Sequence, residues 1–260
     1  MTQELGYVDP GYLDAAARLV AGGKRLSYER MRVAPGATVL DVGCGPATDT
    51  LPLAGLVGPG GFVHGIDRDA EMVAEAERRA AAAGLTGRVE HRAGDAYALP
   101  WEDATFDAVR CERLFLHLDR PERATAEMVR VTKPGGRVVL MDTDWGTRSV
   151  DTPEVDLERR LARVLAERCM ANGYSGRRLW GLMKEAAVHD LSVDLVPLHV
   201  DSYAFWSLLS RMEMAFDVAV RAGVMTADEV RRLDDAFREK DAAGTFFAST
   251  TVVLVAGTRV

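Results

Sequence analysis

The chain has 260 residues, and 32 Lys and Arg against 39 Asp and Glu leave a formal net charge of −7. With 48% hydrophobic and 27% charged residues it has the composition of an ordinary globular protein, long enough for one large domain or a domain with an elaboration. The acidic balance argues against a general nucleic-acid binder, which needs surplus Lys and Arg to neutralise phosphates.

The opening residues are polar and acidic, so no secretory signal is expected there. The apolar stretch from Thr245 to Thr258 is too short for a bilayer, which takes ~20 residues. Cys44, Cys111 and Cys169 form no CxxC pair, which suits reduced thiols in a cytoplasmic protein. No histidine spacing suggests a metal site.

In chain order, residues 1–32 read as a helical arm carrying Tyr7, Tyr12 and Tyr28. Ala37–Val42 is an apolar run ending in a Gly-rich turn, as a buried parallel strand does. Pro52 forces the following helix to start late, near Thr50, or to kink. Phe62–Asp67 is a second strand, and Asp69 is placed to cap a helix from Ala70 to Ala83. Arg88–Arg92 and Phe106–Cys111 are the third and fourth strands. A helix at 121–131 has Asp119 as candidate N-cap, with Glu122 three positions on. Lys133-Pro134-Gly135-Gly136 reads as a turn before a fifth strand, Arg137–Met141. Alternation of this kind means βαβ units and a parallel sheet covered on both faces.

The remainder is more helical. Thr152-Pro153 opens a helix to about Ala171, Arg177–Val188 is another, and Leu191–Val200 alternates as a strand. Residues 203–241 are largely helical, with a capping box at Thr226 and Glu229, and Phe246–Ala256 is the last strand. No linker or repeat interrupts the chain. We therefore expect one domain, with a core at 33–145, helical insertions at 146–190 and 203–243, and final strands at 191–200 and 246–257.

The chemistry concentrates at strand ends. Gly43 and Gly45 follow the first strand directly, where glycines let the backbone pass close beneath a ligand. Alone, such a G-x-G would serve a dinucleotide equally well. Asp67 ends the second strand, 26 residues after Asp41, and its two oxygens can accept from ribose hydroxyls. Gly94-Asp95-Ala96 follows the third strand, where a carboxylate can take an adenine amino proton.

These motifs, with Lys133-Pro134-Gly135-Gly136 before the fifth strand, resemble the class I S-adenosylmethionine-dependent methyltransferases over Val33–Asp144, in particular the small-molecule and quinone-biosynthesis branch. The resemblance implies a Rossmann-like, doubly wound, mostly parallel seven-stranded sheet with helical lid insertions. It implies S-adenosylmethionine as cofactor, S-adenosylhomocysteine as product, and a small-molecule substrate rather than nucleic acid or membrane, for a monomer or homodimer. Gly43 and Gly45 would lie against the methionine part, Asp67 would hold the ribose, and Asp95 with Ala96 would border adenine. Cys111 and Glu112 fall where the fourth strand approaches the sulfonium; Asp41, Cys44, Thr48, Arg68 and Gly94 complete the expected cofactor set. Ala47 departs from the pattern, standing where the family often has a third glycine.

Methyl transfer from a sulfonium needs mainly orientation and exclusion of water, with a general base where the acceptor must lose a proton. His117, just beyond the fourth strand, is the candidate base, and Asp144 would orient it or bind substrate. Trp145 would stack on the acceptor or on the methyl-donor side. Tyr203 and Trp206, in a stretch dense in aromatics and methionine, belong to helix core or to the roof of an apolar pocket that Tyr7 and Tyr12 would close. Three rivals remain. An NAD(P)-dependent oxidoreductase would want glycine at position 48, which is Thr. A cyclase or a regulatory binding module on the same scaffold would keep the cofactor motifs. A macromolecular methyltransferase would want an Asn-Pro-Pro-Tyr type motif where this chain reads Cys111-Glu112-Arg113-Leu114.

Overall fold

The computed structural model describes residues 19–260; Tyr7 and Tyr12 lie outside the described residues. After helix α1 (Ala21–Met31), strands β1 (Thr38–Val42), β2 (Phe62–Asp67), β3 (Val89–Ala93) and β4 (Phe106–Glu112) alternate with helices α2 (Thr50–Val57), α3 (Ala70–Ala82) and α4 (Pro121–Val131). Then come β5 (Thr132–Val150), α5 (Val155–Val164), α6 (Ser175–Glu185), β6 (Val188–Val200), α7 (Tyr203–Ser210), α8 (Met212–Arg221), α9 (Ala227–Ala242) and β7 (Ala248–Arg259). One seven-stranded sheet runs in the order β3-β2-β1-β4-β5-β7-β6, with β7 antiparallel to both neighbours and the first five strands parallel. The order reverses beside β1, which opens a crevice at the carboxyl ends of β1 and β4.

Both sheet faces are covered. Met31, Leu53, Val57 and Ala80 from α1, α2 and α3 pack with Val39, Val63 and Val139. On the other face Met128 and Val131 of α4 and Leu179 and Met183 of α6 pack with Leu40, Val109 and Leu140. A third cluster joins Leu157 and Leu161 of α5 to Trp206, Ala215, Leu233, Phe237 and Phe246, above the carboxyl rim.

Local signals explain most element ends. The Asp69 carboxylate accepts from the Glu71 and Met72 amides, and Thr226 with Glu229 forms the expected capping box. α2 starts at Thr50, which leaves Pro52 in its first turn. Four expectations fail. Asp119 does not cap α4; its carboxylate accepts the Tyr97 hydroxyl proton, and Pro121 at the first helical position starts the helix instead. Thr152-Pro153 precedes a helix that begins only at Val155, closes at Val164 and passes into a π-helical turn over Leu165–Cys169. Residues 133–136 form no separate connection but a bulge in β5, opposite the step from Phe106 to Ala108. Most consequentially, β5 does not stop at Met141. Pairing with β7 carries it past the rim to Asp144↔Thr251 and, after an irregularity between Asp144 and Ser149, resumes through Val150↔Ala248.

Candidate active site

A large cavity of about 1140 Å³ opens at the carboxyl ends of the first five strands. That exceeds the ~300–1,000 Å³ of a typical small-molecule site, so it has room for two ligands side by side. One half is walled by Gly43, Cys44, Gly45 and Thr48 after β1, by Asp67 and Arg68 after β2, and by Gly94, Asp95 and Ala96 after β3. The other half is walled by Trp145, Leu198, Trp206, Leu209, Met212 and Met214, with Glu112 and His117 of the β4 end between the two.

The glycine loop is held from below. The Gly43 and Cys44 amides both donate to the Ile66 carbonyl, at 2.7 and 3.1 Å, and Cys44 packs against Gly65, where a Cβ would stand 2.8 Å from its sulfur. Gly43 has φ +76°, a backbone state natural to glycine, and Leu114 lies against it. Ala47 adopts φ +69° while fully buried, so the third-glycine position keeps the left-handed backbone without the glycine. Asp67 spans two loops: one oxygen accepts from the Gly45 amide at 2.9 Å, the other from Asp69 at 3.0 Å. Each oxygen has capacity for a further hydrogen bond, and Asp67 lines the cavity.

Beneath the loop lies a charge network. Arg110, fully buried in β4, reaches Asp41 at 2.9 Å, Asp49 at 3.2 Å and Glu112 at 3.0 Å. Lys24 of α1 reaches Asp49 at 2.5 Å and Glu112 at 2.8 Å, and the Tyr28 hydroxyl donates to Asp49 at 2.5 Å. Burial opposes ionisation of Asp49, but Arg110 and Lys24 outweigh it and hold the carboxyl well below the ordinary range. Burial dominates at Asp41 and raises its carboxyl, against the pull of Arg110. Asp41 and Cys111 are therefore corrected: both are buried in the sheet and neither reaches the cavity wall. Glu112 does reach it, but its oxygens are already engaged by Lys24, Arg110 and Arg113.

His117 closes a short 3₁₀ turn, Phe115–His117. The residue is exposed and lines the cavity; desolvation by the surrounding cavity wall, then Arg68 and Arg113, lowers its pKa to about 4. The imidazole is neutral at physiological pH and able to accept a proton. Asp144 does not orient it. Because β5 continues as a strand, Thr143 and Trp145 face the cavity while Asp142 and Asp144 face away, toward α6. There Asp144 pairs with Arg177, at 2.5 and 2.9 Å, and accepts from the Gly146 amide. It is Asp142 that contacts the His117 turn, accepting the Leu116 amide at 2.9 Å and the Thr143 amide at 2.7 Å. Burial pushes its carboxyl up to about 7, despite those hydrogen bonds.

Of the aromatic candidates, Trp145 and Trp206 line the cavity with the Arg148 guanidinium over both rings, at 5.2 and 4.4 Å. Tyr203 is corrected: it lies in the helical core against Phe237 and Phe246, and its hydroxyl donates to Asp234. Sequence reasoning missed Lys24, Asp49 and Arg110, and it named Asp142 only as a member of the Asp142–Trp145 cluster at the end of the fifth strand. Arg110 and Asp41 did carry a signal, since a charge inside an apolar strand is almost never buried without a partner.

Fold and site together define an α/β enzyme with a nucleotide-type cofactor crevice beside an apolar chamber. A profile of the methyltransferase domain matches residues 39–136. The uncharacterized 37.1 kDa protein in transposon TN4556 of Streptomyces fradiae is 35% identical over 254 residues, 97% of this chain and 70% of that one. The demethylmenaquinone methyltransferase of Bacillus cytotoxicus is 41% identical over 117 residues, 45% of this chain and 49% of its own length. The chain thus matches about half the length of the demethylmenaquinone methyltransferases it is similar to. The YcgJ protein from Bacillus subtilis shares the fold, with a TM-score of 0.66 at 20% identity, over 92% of this chain and 98% of that one. The chain belongs to the class I S-adenosylmethionine-dependent methyltransferases.

Proposed function

We propose that this enzyme transfers a methyl group from S-adenosylmethionine to a small apolar or aromatic acceptor, at carbon, oxygen or nitrogen. The observation that carries the reading is the two-part cavity, a polar half of strand-end loops continuous with a chamber walled by Trp145, Leu198, Trp206 and Met212. The residues fit the cofactor: Gly43 and Gly45 line the cavity without side chains, Asp67 offers two acceptors to a ribose, and Asp95 and Ala96 line the wall after β3, where we expect the adenine. When bound, the cofactor supplies an activated methyl on a sulfonium. The chain supplies the rest. Trp145 and Trp206 orient a flat acceptor and exclude water, α7 and α8 form the lid over it, and the neutral His117 ring takes the acceptor's proton.

The likeness to demethylmenaquinone methyltransferases favours a reduced, quinone-like ring among aromatic acceptors. The test is incubation with S-adenosylmethionine and, separately, a naphthohydroquinone, simple phenols, bulk tRNA and a protein extract, read by mass spectrometry. A gain of one CH₂ on a hydroquinone or phenol is expected. Methylation confined to tRNA or protein would overturn the small-molecule reading.

A further inference from the structure

The turn that carries His117 is held from two sides. From β5, the Asp142 carboxylate takes the Leu116 amide. From the segment after the π-helical turn, Asn172 makes a matched set of contacts: its own amide donates to the Leu116 carbonyl at 3.0 Å, and its side-chain Nδ2 to the Phe115 carbonyl at 3.3 Å. Asn172 is itself buried, at 7% exposure, which makes each of these contacts costly to lose. Its amide orientation is settled by chemistry. Arg178 donates to Oδ1 at 2.9 Å, and a guanidinium has no acceptor, so Nδ2 must face Phe115.

The segment has little freedom to move. A Cβ on Gly173 would collide with the Ala166 backbone, so only glycine lets the chain return this closely upon the π turn. The Gly173 carbonyl accepts the Trp145 amide at 3.0 Å. Cys169, Met170 and Ala171, just before Asn172, line the cavity. One short stretch therefore touches the His117 turn, the strand bearing Trp145, and the chamber wall.

We infer that Asn172 is a positioning residue: its side chain fixes the Phe115–His117 turn so that the His117 ring faces the acceptor chamber, in register with Trp145. This rests on the proposed role of His117, but the ring's placement is measurable without any acceptor. Asn172→Asp is the cleanest probe. It keeps the shape and the Arg178 pairing, and it removes only the donor to Phe115 while setting a carboxylate oxygen against that carbonyl. Asn172→Ala is the second variant.

The full chain, labelled with ¹³C-histidine and saturated with S-adenosylhomocysteine, is observed by NMR, the His117 signal being assigned by its loss in His117→Ala. Calorimetry with S-adenosylhomocysteine and a thermal melt accompany each variant. In Asn172→Asp, cofactor affinity is expected to stay within ~2-fold of wild type, while the His117 signal moves and its titration shifts toward the ~6.5 of a free imidazole. A His117 signal and titration unchanged in both variants would overturn the inference. So would loss of folding in Asn172→Asp, since the residue would then serve the fold and not the ring. If His117→Ala transfers methyl at the wild-type rate, the base assignment fails, yet the NMR result still decides what Asn172 does.

Discussion

The clearest lesson at the scale of single residues concerns parity. Asp142, Thr143, Asp144 and Trp145 look equivalent as a polar cluster at a strand's end, but a strand that does not end sorts them by alternation. Thr143 and Trp145 go to the cavity and the two carboxylates to α6. Among the described residues no carboxylate pairs with the His117 ring, the base we propose, and desolvation with Arg68 and Arg113 nearby lowers its pKa. Because its pKa is lowered to about 4, the neutral, proton-accepting form persists well below the ~6.5 of free imidazole. The acid limb of kcat/KM assigned to this ring is therefore expected near 4, with activity lost as pH falls through it; a limb at 6.5 that disappears in His117→Ala would place the ring in open solvent. His117→Ala itself should lower kcat by ~10²–10⁴, the usual worth of a positioned base, with cofactor affinity unchanged. Unchanged turnover on the true acceptor would remove His117 from the chemistry.

Secondary-structure elements are joined beneath the cofactor loop by charge rather than by apolar contact alone. Lys24 of α1, Asp41 of β1, Asp49 at the start of α2, and Arg110 and Glu112 of β4 form one buried network. Removing one partner of a buried ion pair costs ~3–5 kcal/mol, because the remaining charges lose their counter-ion in low dielectric. Arg110→Met should therefore lower unfolding stability in urea by about that amount; a loss under ~1 kcal/mol would show that the carboxylates find water or protons instead. A separate expectation concerns β2. Alanine at Gly65 would place its Cβ 2.6 Å from His91 and 2.8 Å from the Cys44 sulfur. It should weaken cofactor binding by displacing the loop, and an unaltered affinity would show that the loop absorbs the methyl. The strands of the first half were legible because apolar runs ending in Gly or Asp have few alternative readings. The extension of β5 was not, because it depends on pairing with β7, about a hundred residues later in sequence. The Asp119 cap misled for a similar reason: the Tyr97 hydroxyl competes for the same carboxylate.

Across the whole molecule, the doubly wound sheet supplies the crevice and the later helices enclose it. That Gly43, Gly45, Asp67 and Asp95 line one cavity was readable from the sequence because each is local to one strand end. Which helical aromatics face the chamber was not: Trp206 lines it while Tyr203, three residues earlier on α7, turns into the core. The net charge of −7 and the cavity of about 1140 Å³ both suit a small acceptor bound beside a cofactor. Among the described residues no helix is long and apolar enough to cross a membrane. In the proposed function the strand-end loops hold S-adenosylmethionine through Asp67. Calorimetric titration of wild type and Asp67→Ala with S-adenosylmethionine and S-adenosylhomocysteine tests it most directly. Wild type is expected to bind both, and Asp67→Ala to weaken both strongly while remaining folded; tight binding of NADH with no response to either sulfur compound would overturn the assignment of Asp67.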